Sequence, residues 1–176
     1  MNALPLDKYN WAVSYQMSLS TNLEKLWYII SSPSNLEFFH PFCAKNPVIQ
    51  WPGLNSIDEV HYYNGKVYKR NFILWEDLKG YDLLIGEEDG ETSLVSWRIE
   101  DLGKDKSSLQ ITVYPHIFNT HSKVVDLIPF FLFIKPKLKK YLFQVIHGLD
   151  WHIKEGQKIP KNHFGNHSWF SDNSKI

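Results

Sequence analysis

The N-terminal part of the chain alternates between apolar and polar residues. From residue 11 to residue 19 every second position is apolar, namely Trp11, Val13, Tyr15, Met17 and Leu19. This alternation predicts a β-strand with one buried face, because successive side chains of a strand point to opposite sides. Thr21 and Glu24 then form a capping-box pattern, which predicts a helix from Thr21 to about Ile30. Ser34 is placed to cap a second, short helix that ends before His40-Pro41.

Turn signals divide the central part of the chain into a series of short strands. Asn64-Gly65 and Asp89-Gly90 are dipeptides typical of tight hairpin turns, and a polar loop at Gly103–Lys106 separates the last two apolar runs. The strands predicted after the two helices are therefore 47–51, 58–63, 66–76, 81–87, 91–102 and 108–114. Because hairpins join consecutive strands, we expect one antiparallel meander.

The C-terminal part of the chain changes to a helical pattern. Apolar residues recur at helical spacing from Leu138 to Ile153, and Gly156 follows as a C-cap. The order β-α-α-β6-α predicts an α+β domain over residues 1–158, with seven antiparallel strands and one long C-terminal helix to cover their apolar face. Residues 159–176 are rich in Asn, His and Ser, and we expect a surface tail whose Phe164, Trp169 and Phe170 pack onto the domain.

Composition narrows the class of function. Aromatic residues make up 15% of the 176 residues, which is enough to fill a core or to line a cavity. Nineteen basic and nineteen acidic residues cancel, so no overall positive field would attract nucleic acid, and we expect no nucleic-acid partner. The N-terminus lacks a signal-peptide pattern, and the longest apolar run, 127–134, is far shorter than the roughly 20 residues of a membrane span. With Cys43 as its single cysteine, the chain is expected to be cytoplasmic.

Several segments resemble a known superfamily. The opening strand, the helix start at Thr21–Trp27, the Ile30–Phe39 stretch and the helix end at Gly148–Glu155 resemble the START and polyketide-cyclase-like (SRPBCC) superfamily over about residues 8–158. The resemblance implies the helix-grip fold, in which a curved antiparallel sheet is wrapped around the long C-terminal helix and leaves a cavity between them. It also implies an apolar ligand such as a lipid, sterol, polyketide or hormone. The superfamily has no universal catalytic signature, so it implies no catalytic residue here.

The residues expected to line such a cavity lie on the inward faces of three strands, on the long helix and on the segment before it. They can equally close a solid core, because periodicity alone does not reveal a void. Taken together with the resemblance, they predict the binding of a lipid, isoprenoid, polyketide or other aromatic compound, with transport of that ligand as an extension of the same hypothesis. The candidates are Tyr68, Phe72, Leu74, Trp97, Ile99, Ile111, Val113, Phe130, Phe131, Leu142, Val145 and Leu149.

Four polar residues are candidates for groups that face the ligand: Tyr62, Arg98, Tyr114 and His116. Arg98 alternates with Trp97, so it is a solvated charge if its face is outward, and a bidentate partner for a ligand carboxylate if it is inward. If one of the four has a perturbed pKa inside the pocket, a cyclase or dehydratase that uses the same cavity is the alternative to a binding protein.

Metal and cofactor chemistry has little support in the sequence. His163 and His167 have ligand-like spacing, but no cysteine or acidic cluster stands near them, and His147 and His152 point in different directions around a helix. The chain also lacks the G-x-S-x-G, P-loop and dinucleotide-binding motifs. We therefore expect neither a metal nor a cofactor.

Val124–Ile134 is apolar, contains Pro129 and is followed by four lysines. Aromatic residues beside lysines suit transient contact with an anionic membrane surface, through Phe130, Phe131 and Phe133 with Lys135, Lys137, Lys139 and Lys140. Because proline breaks helices, part of the segment is expected to be non-helical and to form a lid at the cavity mouth. The remaining alternative is that the segment is the buried start of the long helix.

Overall fold

The structure is a computed structural model that describes residues 8–117 and 123–172. Three segments lie outside the described part. They are residues 1–7 at the start of the predicted domain, residues 118–122 within it, and residues 173–176 at the end of the predicted tail. One antiparallel sheet dominates the fold. Its strands are β1 (Val13–Leu19), β2 (Cys43–Lys45), β3 (Val48–Gln50), β4 (Ile57–Tyr62), β5 (Val67–Glu76), β6 (Gly80–Gly86), β7 (Ser93–Gly103) and β8 (Lys106–Tyr114).

The strands follow the predicted meander. The order across the sheet is β1-β8-β7-β6-β5-β4-β2, and β3 also pairs with β4. The sheet has eight strands rather than the predicted seven, because Cys43–Lys45 forms an additional short strand at the edge, opposite Tyr62 and His61. Three residues are too few to show an alternating pattern, so this strand has no signal in the sequence.

Two short helices follow β1. The first, α1, spans Leu23–Ser31, and the second, α2, spans Leu36–Phe39. Asn22 rather than Thr21 caps α1, since its Oδ1 accepts a hydrogen bond of 2.8 Å from the backbone N–H of Lys25. Leu26 and Ile30 of α1 are completely buried in the core.

The long C-terminal helix begins earlier than its apolar stripe predicts. Lys123–Pro129 forms α3, Phe130–Ile134 forms one π-helical turn, and Lys135–Glu155 forms α4. The expected non-helical lid is therefore wrong, because the backbone at both Pro129 and Ile134 keeps right-handed helical angles. Proline removes one backbone donor, and the chain continues through a widened turn instead of breaking.

The long helix packs on the concave side of the sheet and ends as predicted. Helix α4 contacts β1, β8 and α2, and its C-cap is Gly156, whose left-handed backbone (φ 66°) only glycine adopts without strain. The structure is thus an α+β helix-grip fold. In the described residues no helix is long and apolar enough to cross a membrane.

Candidate functional site

A cavity of about 410 Å³ lies between the sheet and α4. Strands β4 to β8 supply one wall of the cavity. The other wall is the face of α4 that carries Leu138, Tyr141, Leu142 and Val145. Most of the lining side chains are aliphatic or aromatic. Those at the centre are Val60, Leu83, Val95, Trp97, Ile111 and Val113 from the sheet, with Leu138, Leu142 and Val145 from the helix.

The cavity opens at one end of the sheet. Its exposed lining residues are Lys66, next to the β4–β5 turn, Glu87, Gly90 and Glu91 in the β6–β7 turn, and Ile117 after β8. These chain segments lie side by side, because β5 begins where β6 ends and β7 begins where β8 ends. The opposite end is closed by rings, since Tyr81 stacks on Trp97 and on Trp75 at centroid distances of 5.5 Å.

One side of the cavity is polar, in contrast to the apolar centre. We call this side the polar wall and define it by His40, Tyr62, Arg70 and Tyr141, which all line the cavity. His40 Nε2 lies 2.8 Å from the hydroxyl of Tyr141, and this hydroxyl lies 3.4 Å from that of Tyr62. The three side chains come from the end of α2, from β4 and from α4, so only the folded chain brings them together.

Hydrogen bonds assign the proton positions on His40. The backbone N–H of Phe42 donates to His40 Nδ1 at 3.2 Å. A neutral imidazole carries one proton, so that proton is on Nε2, and Nε2–H donates to Tyr141. Burial lowers the pKa of His40 to about 3, with the positive charge of Arg70 as the next cause, so the ring is neutral near pH 7.

Burial also fixes the state of the two tyrosines. It raises the pKa of Tyr62 well above its ordinary value, and the neighbouring Tyr141 adds to the shift. It raises the pKa of Tyr141 in the same way. Both hydroxyls therefore stay protonated and can donate hydrogen bonds.

Arg70 brings a charge into the polar wall but does not leave it unpaired. Its Nε donates to Asp58 Oδ1 at 2.6 Å, and a second guanidinium nitrogen contacts Oδ2. Both side chains are almost fully buried, and Asn46 Nδ2 donates to Asp58 Oδ2 at 3.0 Å. The ion pair is therefore neutral as a unit and bidentate, the geometry in which arginine binds carboxylates most strongly.

The segment after α4 covers the polar wall. Phe170 is only 7% exposed, belongs to the hydrophobic core, and stacks on Tyr62 at a centroid distance of 4.4 Å. Trp169 lines the cavity beside it. Hydrogen bonds hold the segment, including one from Asn64 Nδ2 to the Trp169 carbonyl (2.7 Å) and one from Gln144 Nε2 to the Phe164 carbonyl (2.9 Å). These residues thus form part of the cavity wall as well as part of the surface.

Comparison with solved structures places this architecture among known folds. A START superfamily protein from Mycobacterium smegmatis aligns over 83% of this chain and 99% of its own, with a TM-score of 0.61 and 12% sequence identity. The fold is START-like. No family model and no curated protein matches the sequence.

Two other START-like neighbours come from biosynthetic systems. DynU16, from the dynemicin biosynthetic locus, aligns over 84% of this chain at 13% identity with a TM-score of 0.60. The di-domain ARO/CYC protein BexL, from the BE-7585A biosynthetic pathway, aligns over 81% at 8% identity with a TM-score of 0.61. The alignments cover 48% of DynU16 and 47% of BexL, so this chain spans about half the length of each. At these identities the likeness concerns the fold alone.

The START-like cavity contains half of the apolar residues expected from the sequence. The expected residues that line it are Tyr68, Trp97, Ile111, Val113, Leu142 and Val145. Ile99, Phe72 and Leu149 face inward but are buried in the core outside the cavity lining. Phe72, for example, packs edge-on against Trp51 at a centroid distance of 5.0 Å, in the aromatic cluster that closes the end of the domain.

Leu74 does not reach the cavity, because a β-bulge reverses the alternation of β5. Phe72 pairs with Leu83 and Leu74 with Asp82, so Ile73 is an extra residue between them. Beyond the bulge the inward position passes to Trp75, which stacks on Tyr81. A single inserted residue turns every later side chain of a strand to the other face.

Phe130 and Phe131 do not line the cavity either. Phe130 is buried against Trp11, with stacked rings at a centroid distance of 4.9 Å. Phe131 is exposed, and Lys135 Nζ lies 4.4 Å from the centre of its ring. Of the segment before α4, Ile134 supplies a lining side chain.

Of the four polar candidates, two line the cavity and two do not. Tyr62 is in the polar wall, and His116 is at the mouth, where its Nδ1 lies 2.9 Å from the hydroxyl of Ser93. Arg98 lies on the outer face of the sheet and pairs with Asp82 at 2.7 Å, so the outward alternative holds. Tyr114 alternates with the inward Val113 and packs beside Tyr9 instead.

Three members of the polar wall are not among the residues predicted from the sequence: His40, Arg70 and Tyr141. A signal existed for two of them. Arg70 has the same parity as Tyr68 and Phe72, and Tyr141 lies on the apolar stripe of the helix. His40 follows a four-residue helix, where neither periodicity applies.

The other reactive groups do not form a site in the described residues. No group of three or more His, Cys, Asp or Glu side chains there could hold a metal ion. His167 is buried and its Nε2 contacts the Lys137 carbonyl at 3.0 Å. Burial raises the pKa of the Cys43 thiol to about 12, which removes the thiolate that a nucleophile needs.

Proposed function

We propose that this protein binds one apolar small molecule in the cavity between the sheet and α4. The observation that carries the proposal is the cavity itself. Its volume of about 410 Å³ falls in the range of roughly 300–1,000 Å³ that small-molecule sites occupy. Its centre is aliphatic and aromatic, and its polar groups are few and clustered in the polar wall, which is the usual composition of such sites.

The START-like neighbours support the same class of ligand. One is a START superfamily protein, and another is a di-domain ARO/CYC protein from the BE-7585A biosynthetic pathway. Lipids, isoprenoids, polyketides and other aromatic compounds are therefore the candidate ligands. Trp97 and Tyr68 in the lining offer ring faces against which a planar ligand can stack.

The state of the polar wall favours binding over catalysis as the proposed role. General acid–base catalysis works best with a pKa near the operating pH. The pKa of His40 is lowered to about 3 and both of its ring nitrogens are hydrogen-bonded, while the pKa of each tyrosine hydroxyl is raised. Such groups orient a ligand well but exchange protons poorly. A cyclase or dehydratase reaction remains the alternative use of the same cavity.

A variant that fills the cavity tests the proposal. We expect the wild-type protein to bind the apolar reporter N-phenyl-1-naphthylamine with one-to-one stoichiometry in a fluorescence titration. Val113→Trp places a large ring in the cavity and should weaken binding by at least about 10-fold, or roughly 1.4 kcal/mol. Val67→Trp is the matched control, because Val67 is an exposed strand valine outside the cavity lining, and it should bind as the wild type does.

Native mass spectrometry of protein purified from cells complements this titration. An additional mass, removed by organic extraction, would identify the natural ligand. A wild-type protein that binds neither the reporter nor any cellular hydrophobe would contradict the proposed function, and equal binding by the two tryptophan variants would contradict its location.

An exposed apolar face favours a second candidate function, contact with an anionic membrane surface during ligand transfer. Ile128 and Leu132 are 66% and 64% exposed, and Leu127, Phe131 and Phe133 are exposed beside them. We call these five residues the apolar face. Lys137, Lys139 and Lys140 are exposed on the first turns of α4, and a cluster of lysines next to apolar side chains is typical of binding to anionic lipid headgroups.

Vesicle sedimentation tests the membrane contact. We expect binding to phosphatidylcholine vesicles that contain phosphatidylserine, and weaker binding at high salt because salt screens the lysines. Leu132→Asp removes about 1.5–3 kcal/mol of apolar burial and should reduce partitioning by about 10-fold or more. Leu54→Asp is the control, since Leu54 is a leucine of similar exposure (59%) in a loop elsewhere. Equal partitioning of the two variants would contradict the role of the apolar face.

A further inference from the structure

The chain of contacts from His40 through Tyr141 to Tyr62 holds three hydrogen-bonding protons but has only two hydrogen bonds. Three protons lie along the chain from His40 to Tyr62: one on Nε2 of His40 and one on each tyrosine hydroxyl. The His40–Tyr141 contact uses the first, and the Tyr141–Tyr62 contact uses one of the two hydroxyl protons. Within the described part of the chain neither hydroxyl has another hydrogen-bond partner, so one hydroxyl proton is available to a group in the cavity.

A buried hydroxyl proton without an acceptor is costly, which gives this position a chemical preference. A buried donor that lacks an acceptor has lost its hydrogen bonds to water without replacement. Both Tyr62 and Tyr141 line the cavity, so a ligand atom can approach either hydroxyl. An oxygen atom with a free lone pair, such as a carbonyl oxygen, meets this need, whereas a pure hydrocarbon does not.

The charge of the wall also limits the ligand. Arg70 is the cationic side chain of the wall, and its bidentate partner Asp58 already neutralises it. His40 carries no charge near pH 7. Lys66, the other cationic lining residue, is exposed at the mouth of the cavity. An anionic group at the polar wall would therefore be taken out of water without a free positive charge beside it, which is strongly unfavourable in a buried site.

We infer that the ligand of this cavity is an uncharged apolar molecule with a carbonyl or similar acceptor oxygen, and that the oxygen accepts a hydrogen bond from the Tyr62–Tyr141 hydroxyl pair. This inference rests on the proposed function and specifies its ligand class. It assigns Tyr62 and Tyr141 the role of specificity-determining residues and leaves the apolar centre to supply most of the affinity.

Three probes with one ring skeleton test the inference on the wild-type protein. Fluorene is a hydrocarbon, 9-fluorenone carries a carbonyl at the same position, and fluorene-9-carboxylate is an anion. Dissociation constants come from quenching of tryptophan fluorescence. We expect 9-fluorenone to bind roughly 2- to 10-fold more tightly than fluorene, the ratio expected from one net hydrogen bond, and the carboxylate to bind most weakly.

Tyrosine-to-phenylalanine variants then locate the effect. In the double variant Tyr62→Phe/Tyr141→Phe the ratio of fluorene to fluorenone dissociation constants should fall to about one. Tyr15→Phe is the control. Tyr15 packs against Phe143, which is on α4 as Tyr141 is, but Tyr15 does not line the cavity, so this variant should keep the wild-type ratio. The ratio is read within one protein, so a general loss of stability does not mimic the result.

The possible failures are distinguishable. If fluorene and 9-fluorenone bind with equal affinity, or if the carboxylate binds most tightly, the inference is overturned and the apolar cavity stands. A preference for the ketone that survives in the double variant also overturns it. If none of the three probes binds to the wild type, the proposed function fails together with the inference.

Discussion

His40 is the residue in which burial has the largest consequence for chemistry. Its ring is 3% exposed, and the groups that face it are Arg70, His167, Tyr62 and Tyr141. Burial and the charge of Arg70 keep it neutral, and the Phe42 N–H holds its orientation. Both of its ring nitrogens are engaged by protein groups, so in the proposed function we regard it as a positioning residue for Tyr141.

The lowered pKa of His40 predicts a loss of stability in mild acid. An unfolded histidine takes up a proton near pH 6.5, but folded His40 does so only near pH 3. The unfolded state therefore binds more protons between these values, and the free energy of unfolding falls as the pH falls through this window. From pH 6.5 to pH 5 the loss should be about 1.6 kcal/mol, since the full slope of about 1.4 kcal/mol per pH unit is reached only below the pKa of the unfolded histidine.

Urea denaturation of His40→Gln at several pH values measures this contribution. Glutamine does not titrate, so the variant should lose less stability between pH 6.5 and pH 5 than the wild type, whatever its stability at pH 7. His163→Gln is the control, because His163 is exposed, and it should keep the wild-type pH dependence. Identical slopes for wild type and His40→Gln would contradict the neutral, buried state.

At the scale of secondary structure, the close approach of α4 to the chain around α2 depends on a glycine. A Cβ atom on Gly148 would lie 2.1 Å from the backbone oxygen of Phe39 and 3.2 Å from Pro41 Cδ. The backbone of α4 can therefore touch the end of α2 only where no side chain intervenes. This contact also sets the position of His40, the next residue after Phe39.

We predict that Gly148→Ala destabilises the protein, which is the reverse of the usual effect in a helix. Alanine is favoured over glycine in a helix interior by about 1 kcal/mol, but here the methyl group collides with backbone, and overpacking costs about 1–3 kcal/mol. Thermal unfolding with Lys139→Ala as an exposed control on the same helix measures the effect. A Gly148→Ala protein with a higher melting temperature than the wild type would show that α4 does not approach α2 this closely.

The long helix and β5 show how far periodicity predicts an element. The apolar stripe correctly predicts α4 from Leu138 onward, and Gly156 correctly predicts its end. The stripe does not predict α3 or the π-helical turn, because Pro129 is normally a helix breaker. In β5 the alternation is right up to Phe72 and wrong beyond the bulge at Ile73, since bulges have no reliable sequence signal.

At the scale of the whole molecule, two groups of aromatic residues have different roles around the cavity. Trp27, Trp51, Phe72 and Trp75 pack around Tyr81 or its neighbours and fill the closed end of the domain. Tyr62, Tyr68, Trp97, Tyr141, Trp169 and Phe170 line the cavity. The first group packs densely and closes one end of the domain. The second group can therefore surround the cavity without collapse of the domain.

The C-terminal segment completes this arrangement. Phe170 contacts Tyr62, Tyr68 and Tyr141, and His167 packs on Phe42. The sequence gives this segment a polar composition, yet its two adjacent rings, Trp169 and Phe170, close the side of the cavity where the polar wall lies. The polar wall and the segment that covers it thus combine groups from five separate stretches of the chain.

The sequence by itself determined the meander from β3 to β8, the hairpin turns and the helix that grips the sheet, but not the pairing of β1 with β8 or the edge strand β2. These features depend on local chemistry, namely the alternation of apolar and polar residues, the Asn64-Gly65 turn and the apolar stripe of α4. Local chemistry can be recognised directly in the sequence. Only the tertiary structure decided that the core leaves a cavity, which rings line it, and that His40, Tyr62 and Tyr141 meet. A void is what remains when distant side chains fail to fill a space, and a hydrogen-bond chain across 101 sequence positions depends on distances that no local pattern encodes.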